Sequence, residues 1–134
     1  MDELNSDLDH NSVDFVELFN KLSEIECPYV RAIEIIGNKN TLLILKEFYI
    51  HAKPYRFNEI LRALAPMSSK TLSEKLTMLE RYRIISRDVM STKPVIIRYS
   101  LTERGLDLKD LLDNLANWSN KWFSKESSVE ISEV

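Results

Sequence analysis

The chain has 134 residues, of which 44% are hydrophobic and 29% are charged, and its formal net charge is −3. This length and composition are typical of one globular domain and exclude a fibrous or largely disordered protein. No apolar run approaches the ~18 residues that a membrane span needs, and the acidic start does not resemble a signal or transit peptide. We therefore expect a cytoplasmic protein with no membrane partner.

The residues that build metal sites and active sites are scarce. One cysteine, Cys27, and two histidines, His10 and His51, are too few for the usual zinc ligand sets. A lone cysteine forms no disulfide within the chain, which fits a reducing compartment. The two glycines, Gly37 and Gly105, form no phosphate-binding loop, and no catalytic spacing is recognisable. We expect no enzyme, metal or cofactor.

Charge is segregated along the chain. Residues 1–26 hold 8 acidic residues against 1 basic residue, and residues 102–134 hold 7 against 4. The block between them, residues 27–101, holds 13 basic residues against 6 acidic ones. Because a polyanion responds to the local field, this block is a candidate anion-binding surface. The alternative is that the acidic flanks neutralise it.

The first predicted helices follow an acidic segment, residues 1–11, which we expect to be mobile. Pro28 suits a first helical turn and Gly37 suits a helix end, so a helix is predicted between them. The run "NKNTLLILKEFYIHA" predicts a further helix. Before both, residues 12–26 carry apolar side chains at helical spacing and predict an N-terminal helix: Phe15, Leu18, Phe19, Leu22 and Ile25.

Two short helices joined by a tight turn are predicted after Pro54. "FNEILRALA" predicts the first, with Asn58 as its N-terminal cap, and residues 69–82 predict the second, with Ser68 as its cap. The second helix turns Leu72, Leu76 and Leu79 inward and a polar, partly basic face outward. This is a helix-turn-helix pattern, in which the second helix is the recognition helix that enters the major groove of DNA.

A β-hairpin and a long helix complete the predicted domain. "IISRDVM" and "VIIRYSL" alternate and are rich in β-branched residues, with "STKP" as the turn between them. This hairpin, the wing, spans residues 84–101, and an apolar helix starts at Thr102. We predict a mainly α (α+β) winged helix-turn-helix domain over residues 12–123, with N- and C-terminal dimerisation helices and a flexible tail at 124–134.

Several motifs in this order resemble the HxlR-type winged-helix transcription regulators, relatives of the MarR type. The resemblance covers about residues 27–122. Its carriers are "CP" at 27–28, "IGNKNTLLIL" at 36–45, "RFNEILRAL" at 56–64, Ser68, "LSEKLTMLE" at 72–80, Pro94 and "YSLTERG" at 99–105.

The resemblance implies a homodimer on a partly palindromic DNA operator, with the recognition helices in major grooves and the wings on the minor groove or backbone. Its terminal helices would form the dimer interface. Three positions depart from the usual pattern. Asn40 replaces tryptophan, Arg83 replaces a glycine after the recognition helix, and Ile96 occupies a wing position that is often arginine.

Candidate DNA contacts lie on the recognition helix, just before it, and on the wing. Ser73, Glu74 and Thr77 would reach base edges, although Glu74 at i, i+4 spacing is equally suited to pair with Lys70. The remaining candidates would hold phosphates or the backbone, or would simply be solvated surface residues: Arg56, Ser68, Ser69, Lys70, Arg81, Lys93 and Arg98.

Two further predictions concern regulation and assembly. Cys27 precedes Pro28 at a helix start, where a thiolate is favoured, and some relatives use a cysteine there as a redox sensor; the alternative is an inert thiol. A small-molecule effector is the other candidate. The predicted dimerisation residues, which would otherwise pack within one chain, are Phe15, Phe19, Leu22, Leu108, Leu111, Leu115, Trp118 and Trp122.

Two alternatives to a sequence-specific regulator stay open. A winged helix can serve protein–protein contact, although such modules usually lack clustered bases on the second helix and the hairpin. A chromatin-type binder would hold all duplexes with similar affinity, whereas a regulator exceeds its non-specific affinity by about 10³ or more.

Overall fold

The computed structural model describes residues 16–124 of the protein. Predictions for the acidic segment 1–11, for Phe15 and for residues 125–134 lie outside this range. Within it, the chain forms six α-helices and one two-stranded antiparallel sheet. The elements are α1 (16–24), α2 (Pro28–Ile36), α3 (Lys39–His51), α4 (Phe57–Ala63), α5 (Ser69–Arg81), β1 (Ile85–Thr92), β2 (Val95–Leu101) and α6 (Glu103–Phe123).

The helix-turn-helix consists of α4 and α5. Ser68 caps α5 as predicted, because its hydroxyl oxygen accepts the main-chain N–H of Thr71 at 3.1 Å. The predicted cap of α4 is wrong. Its N-cap is Arg56 rather than Asn58, because the Glu59 carboxylate reaches back and accepts the main-chain N–H of Arg56 at 3.1 Å. The helix therefore starts two residues earlier than the Asn58 side chain suggested.

The wing is a regular hairpin with a shorter turn than the predicted "STKP". Ser91 and Thr92 belong to β1 and pair with Ile96 and Val95, so only Lys93 and Pro94 form the loop. The register shifts between Val89 and Ser91, which marks a β-bulge. Such a bulge increases local twist, and it lies in the half of the wing nearest its tip.

A third extended segment joins the base of the wing to the rest of the domain. Tyr55, between α3 and α4, forms an antiparallel bridge with Tyr99 of β2. Each N–H donates to the other's carbonyl oxygen, at 2.8 and 2.7 Å. Because this bridge lies just before α4, the wing has a fixed position relative to the helix-turn-helix.

The core lies where α3, α4, α5 and the base of the wing meet. Its centre is formed by side chains that are almost fully buried: Ile44, Leu45, Phe48, Ile60, Leu72, Leu76, Leu79, Ile84 and Ile85. The ring of Phe48 packs edge-on against Tyr55, with centroids 5.4 Å apart, a favoured aromatic geometry. This core holds the inward face of α5, so the opposite face is free to meet a ligand.

The N-terminal helix packs against its own chain. Leu22 of α1 is 9% exposed and belongs to the core, with Leu18 and Ile25 packed beside it. The Leu22 side chain is therefore covered within the single chain, and its role in dimerisation stays a prediction. Leu108 at the start of α6 is also packed against the core.

The C-terminal half of α6 leaves the core. All side chains from residue 113 to residue 123 are exposed. Helices in a globular domain normally bury one face, so this half of α6 is without a covering element among residues 16–124. None of the helices in that range is long and apolar enough to cross a membrane.

Candidate nucleic-acid interface

The outward face of α5 is polar and accessible. Leu72, Leu76 and Leu79 are buried beneath it, at 0 to 2% exposure. The i, i+3 and i+4 spacing then places the predicted contact residues together on the opposite side. Those that are exposed are Ser69, Lys70, Ser73, Glu74 and Thr77, while Arg81 in the last turn is partly buried.

The hydroxyl of Thr77 already uses its hydrogen in a bond within α5. Its Oγ1 donates to the carbonyl oxygen of Ser73 at 2.8 Å, the i−4 bond that threonine often makes in helices. The oxygen keeps acceptor lone pairs that point away from the helix. Thr77 is therefore suited to accept from a base amino group, such as adenine N6 or cytosine N4.

Ser68 holds the first turn of α5, and its predicted contact with DNA stays a prediction. Besides accepting from Thr71 N–H, its hydroxyl donates to Thr71 Oγ1 at 3.0 Å. Both roles of the hydroxyl are thus used to hold the first turn of α5. Ser69 and Lys70 follow it directly and are exposed.

A second basic region lies between α4 and the wing. Arg56 and Arg62 line a groove of about 610 Å³ together with Val95 and Ile97 of β2. Arg62, which the sequence analysis did not single out, donates from Nε to the carbonyl oxygen of Asn58 at 3.3 Å. This places a second guanidinium at the side of the helix-turn-helix that faces the wing.

The wing carries its predicted cations in two different settings. Lys93 is exposed at the tip. Arg98 is partly buried and lies opposite Asp88 in the strand register. Three apolar side chains near the tip, Val89, Met90 and Val95, are more than half exposed, so the wing offers an apolar as well as a basic surface.

Glu59 links α4 to its surroundings as an ionised group. The main-chain N–H of Arg56, which donates to this carboxylate, and then the nearby Lys53 lower the pKa of Glu59. Lys53 Nζ lies 3.5 Å from Glu59 Oε2. The charge of Glu59 therefore balances part of the basic region beside it.

The C-terminal end of α5 is held by the first turn of α6. The single hydroxyl hydrogen of Thr102 is shared between two carbonyl oxygens, those of Arg83 at 2.6 Å and Ile84 at 3.0 Å from Oγ1. Arg104 donates from Nη1 to the carbonyl oxygen of Tyr82 at 2.9 Å. We call Thr102, Arg104 and the three carbonyl groups the α5–α6 clamp. The motif "YSLTERG" was visible in the sequence, but its bonding partners about 20 residues away were not.

Two main-chain features lie beside the α5–α6 clamp. Arg83 has a φ of 59°, the left-handed conformation that usually selects glycine after a helix. Gly105 lies against the backbone of Ile84, and a Cβ on Gly105 would collide with the Ile84 carbonyl oxygen. The glycine thus permits the close approach of α6 to the end of α5.

A large apolar surface remains on α6 and on the N-terminal helices. Of the predicted dimerisation residues, Leu111, Leu115, Trp118 and Trp122 are each more than half exposed, and Phe19 is 45% exposed. The prediction missed further exposed apolar side chains, because they lie on helices that were expected to be covered: Val16, Tyr29, Val30, Ile33, Leu106 and Phe123.

Cys27 is exposed at the N-terminal cap of α2. Its carbonyl oxygen accepts the N–H of Arg31 at 3.0 Å, and its side chain makes no capping bond. The thiol is therefore accessible at a helix start, as predicted. Over residues 16–124, no group of three or more His, Cys, Asp and Glu side chains would suit a metal ion.

Comparison with known proteins places the chain in a family. Residues 35–127 match the HxlR-like helix-turn-helix family. The chain is 36% identical over 97 residues to YvaP of Bacillus subtilis, an HTH-type transcriptional regulator, covering 72% of this chain and 88% of YvaP. It is 31% identical over 104 residues to the HTH-type transcriptional regulator YodB of the same organism, covering 77% of this chain and 91% of YodB.

Solved structures show the same fold. The reduced form of YodB superposes with a TM-score of 0.65 at 30% identity, covering 74% of this chain and 96% of that one. A MarR-family regulator from Enterococcus faecalis gives 0.64 at 26% identity, with 72% and 86% covered. The reduced redox regulator HypR gives 0.62 at 27% identity, with 71% and 92% covered. The chain therefore belongs to the HxlR-like helix-turn-helix family, and it is a DNA-binding transcription regulator with a winged helix.

Proposed function

We propose that this regulator binds a partly palindromic operator as a homodimer, with one α5 in each of two successive major grooves. The observation that carries the proposal is the outward face of α5, on which Ser73, Glu74 and Thr77 are exposed above a buried leucine row. Hydroxyl and carboxylate groups of this kind discriminate between base edges. Lys70 beside them and Lys93 on the wing supply positive charge for the phosphates.

The uncovered half of α6 supports the homodimer. Leu115, Trp118 and Trp122 are exposed side chains of a kind that soluble domains seldom leave in contact with water. A second copy related by a two-fold axis would cover them with the same surface. To bind two successive major grooves, this dimer must hold the two recognition helices about 34–36 Å apart, one turn of DNA.

Selection of bound duplexes from a random pool at about 150 mM salt tests the proposal. We expect a two-fold motif that becomes blurred in the double variant Ser73→Ala/Thr77→Ala. Ser23→Ala on α1 is a control that removes a hydroxyl away from α5, and it should leave the motif unchanged. Equal recovery of every sequence would indicate a chromatin-type binder, and recovery of none would indicate a protein-contact module.

The apolar part of the wing is the feature that favours the protein-contact alternative. Val89, Met90 and Val95 are exposed, and Ile96 occupies a position where relatives often have arginine. The salt dependence of DNA binding distinguishes a DNA-binding wing from a protein-contact wing, because only the former makes duplex affinity depend on Lys93. Loss of that charge by Lys93→Gln should reduce the slope of log affinity against log salt by about 1.

A redox response through Cys27 is part of the proposal. Two of the similar structures are a diamide-treated YodB and the oxidised HypR, and Cys27 is exposed at a helix start. We expect diamide to release the selected duplex from the wild-type protein but not from Cys27→Ser. Release of both proteins to the same extent would contradict a role for Cys27. A small-molecule effector stays a prediction from the family resemblance.

A further inference from the structure

Arg104 lies where three helices meet. It belongs to the first turn of α6, and its Nη1 donates to the Tyr82 carbonyl oxygen at the end of α5 over 2.9 Å. On its other side, its Cζ lies 6.0 Å from the centroid of the Phe19 ring in α1. A guanidinium over an aromatic face at this separation is an attractive cation–π pair.

The charge of Arg104 suits its place. The C-terminal end of a helix carries a partial negative charge, and a cation there binds the last carbonyl groups. Arg104 thus supplies a cationic contact to the C-terminal end of α5 at the Tyr82 carbonyl oxygen. The bond also joins the recognition helix to α6, the proposed dimerisation helix.

Through Phe19, the bond between Arg104 and Tyr82 depends on α1, a helix that lies outside the residues matched by the family. The match begins at residue 35, whereas α1 covers 16–24. Leu22, one turn after Phe19, is buried in the core and fixes α1 in place. The aromatic ring therefore holds a defined position beside the Arg104 guanidinium.

We infer that Arg104 is a positioning residue for the recognition helix and that α1 acts on DNA recognition through the contact between Phe19 and Arg104. The inference rests on the proposed function for its effect on DNA, but its structural step is independent of DNA. Without the Phe19 ring, the guanidinium is more hydrated and exchanges its bond to Tyr82 for bonds to water. The end of α5 then fluctuates more, and its polar face meets base edges less often in the correct orientation.

Amide hydrogen exchange of the DNA-free protein tests the structural step. The N–H groups of Tyr82, Arg83 and Ile84 are bonded to carbonyl groups within α5 and report the state of its last turn. Arg104→Gln and Phe19→Ala should each speed their exchange by about tenfold relative to the amide of Leu45, which reports global unfolding. Arg31→Gln, which removes an equal charge from α2, should change neither.

Two further variants test whether the aromatic ring itself matters and whether Phe19 and Arg104 act through the same contact. Phe19→Leu keeps an apolar side chain but removes the aromatic face, so we expect most of the increase to persist. Phe19→Ala and Arg104→Gln together should add less than the sum of the single effects, since both remove the same contact. Unchanged exchange at Tyr82–Ile84 in Phe19→Ala would overturn the role of α1, and unchanged exchange in Arg104→Gln would overturn the inference as a whole.

Affinity for DNA tests the functional step. With the duplex recovered by selection, Arg104→Gln should bind about tenfold more weakly, while its affinity for a random duplex and its salt slope stay unchanged. A phosphate contact would instead weaken binding to both duplexes and lower the salt slope by about 1, which would contradict the positioning role. If the wild-type protein prefers no duplex, the proposed function fails, and the exchange result still decides the role of Arg104.

Discussion

Thr102 binds Arg83 through a 2.6 Å hydrogen bond from its hydroxyl to the Arg83 main-chain carbonyl oxygen. The bond joins residues 19 positions apart, and it connects the second residue after α5 to the N-cap residue of α6. The same hydroxyl accepts the N–H of Gly105 at 3.2 Å and so caps α6. One side chain therefore caps α6 and joins it to the segment that follows α5.

Replacement of Thr102 by valine should lower the free energy of unfolding by about 2 kcal/mol, because valine keeps the shape but loses the cap and the bonds to two carbonyl groups. Urea unfolding followed by circular dichroism measures the change. Thr102→Ser, which keeps a hydroxyl, should lose less than half as much. Equal losses in both variants would mean that the methyl group, rather than the hydrogen bonds, stabilises this junction.

Gly105→Ala should be among the most destabilising single changes in the chain. The added methyl group would collide with the carbonyl oxygen of Ile84 and lie 3.0 Å from Leu101 Cδ2, so α6 must move away from α5. We expect a loss of about 2 kcal/mol or more. Asn117→Ala, on the exposed part of α6, serves as the matched control and should change stability little. A Gly105→Ala protein with the wild-type melting temperature would contradict the close approach.

Alkaline pH should weaken the fold through Tyr49 and Tyr55. Burial raises the pKa of each phenol from 10.0 to about 12. Tyr55 also bonds Glu47 Oε1 at 3.2 Å, and Tyr49 donates to the Gly105 carbonyl oxygen at 2.6 Å. Because the pKa is higher in the folded state, the stabilisation is complete below about pH 10 and is lost as the pH rises towards about 12.

Urea unfolding at about pH 8 and about pH 11 measures this loss. Tyr55→Phe cannot ionise, so its stability should fall less between the two values than that of the wild-type protein. Tyr29→Phe is the control, since Tyr29 is 84% exposed and its replacement should leave the pH dependence as it is. The same decline in Tyr55→Phe as in the wild-type protein would show that other groups cause it.

The oligomeric state should depend on the exposed half of α6. Trp118→Ser/Trp122→Ser removes two large side chains, each more than half exposed, from the proposed interface. Sedimentation equilibrium should show a dimer for the wild-type protein and a shift towards monomer for the variant, without loss of helical content. Val89→Ser/Met90→Ser on the wing removes comparable exposed apolar surface and should remain dimeric. A dimer of unchanged strength in the α6 variant would place the interface elsewhere.

The order of helices and strands followed from the sequence because apolar periodicity changes from helical to alternating and back. It was harder to predict which of two neighbouring residues caps a helix. Asn58 is a good capping residue by type, yet Glu59 reaches back to Arg56 and sets the start of α4. Periodicity also places an apolar residue on a face without saying what covers it, so for Leu22 the sequence left packing within the chain and contact with a partner both open.

The outward face of α5 was likewise predictable, since the leucine row fixes its orientation. The α5–α6 clamp was not. It depends on hydrogen bonds from Thr102 and Arg104 to main-chain carbonyl groups of Tyr82, Arg83 and Ile84. Carbonyl groups are present at every residue, so no side-chain pattern marks the ones that are used. The positive φ of Arg83 is similarly hidden when the residue is not glycine.

The most direct measurement of the central claim is the ratio of affinities for the selected duplex and for a random duplex, at about 150 mM salt. A regulator that reads bases through α5 should show a ratio of about 10³ or more. In Ser73→Ala/Thr77→Ala this ratio should fall by at least tenfold, through weaker binding of the selected duplex alone, since each base contact contributes about 1–3 kcal/mol. A ratio near one in the wild-type protein, or one that the double variant leaves unchanged, would contradict the account.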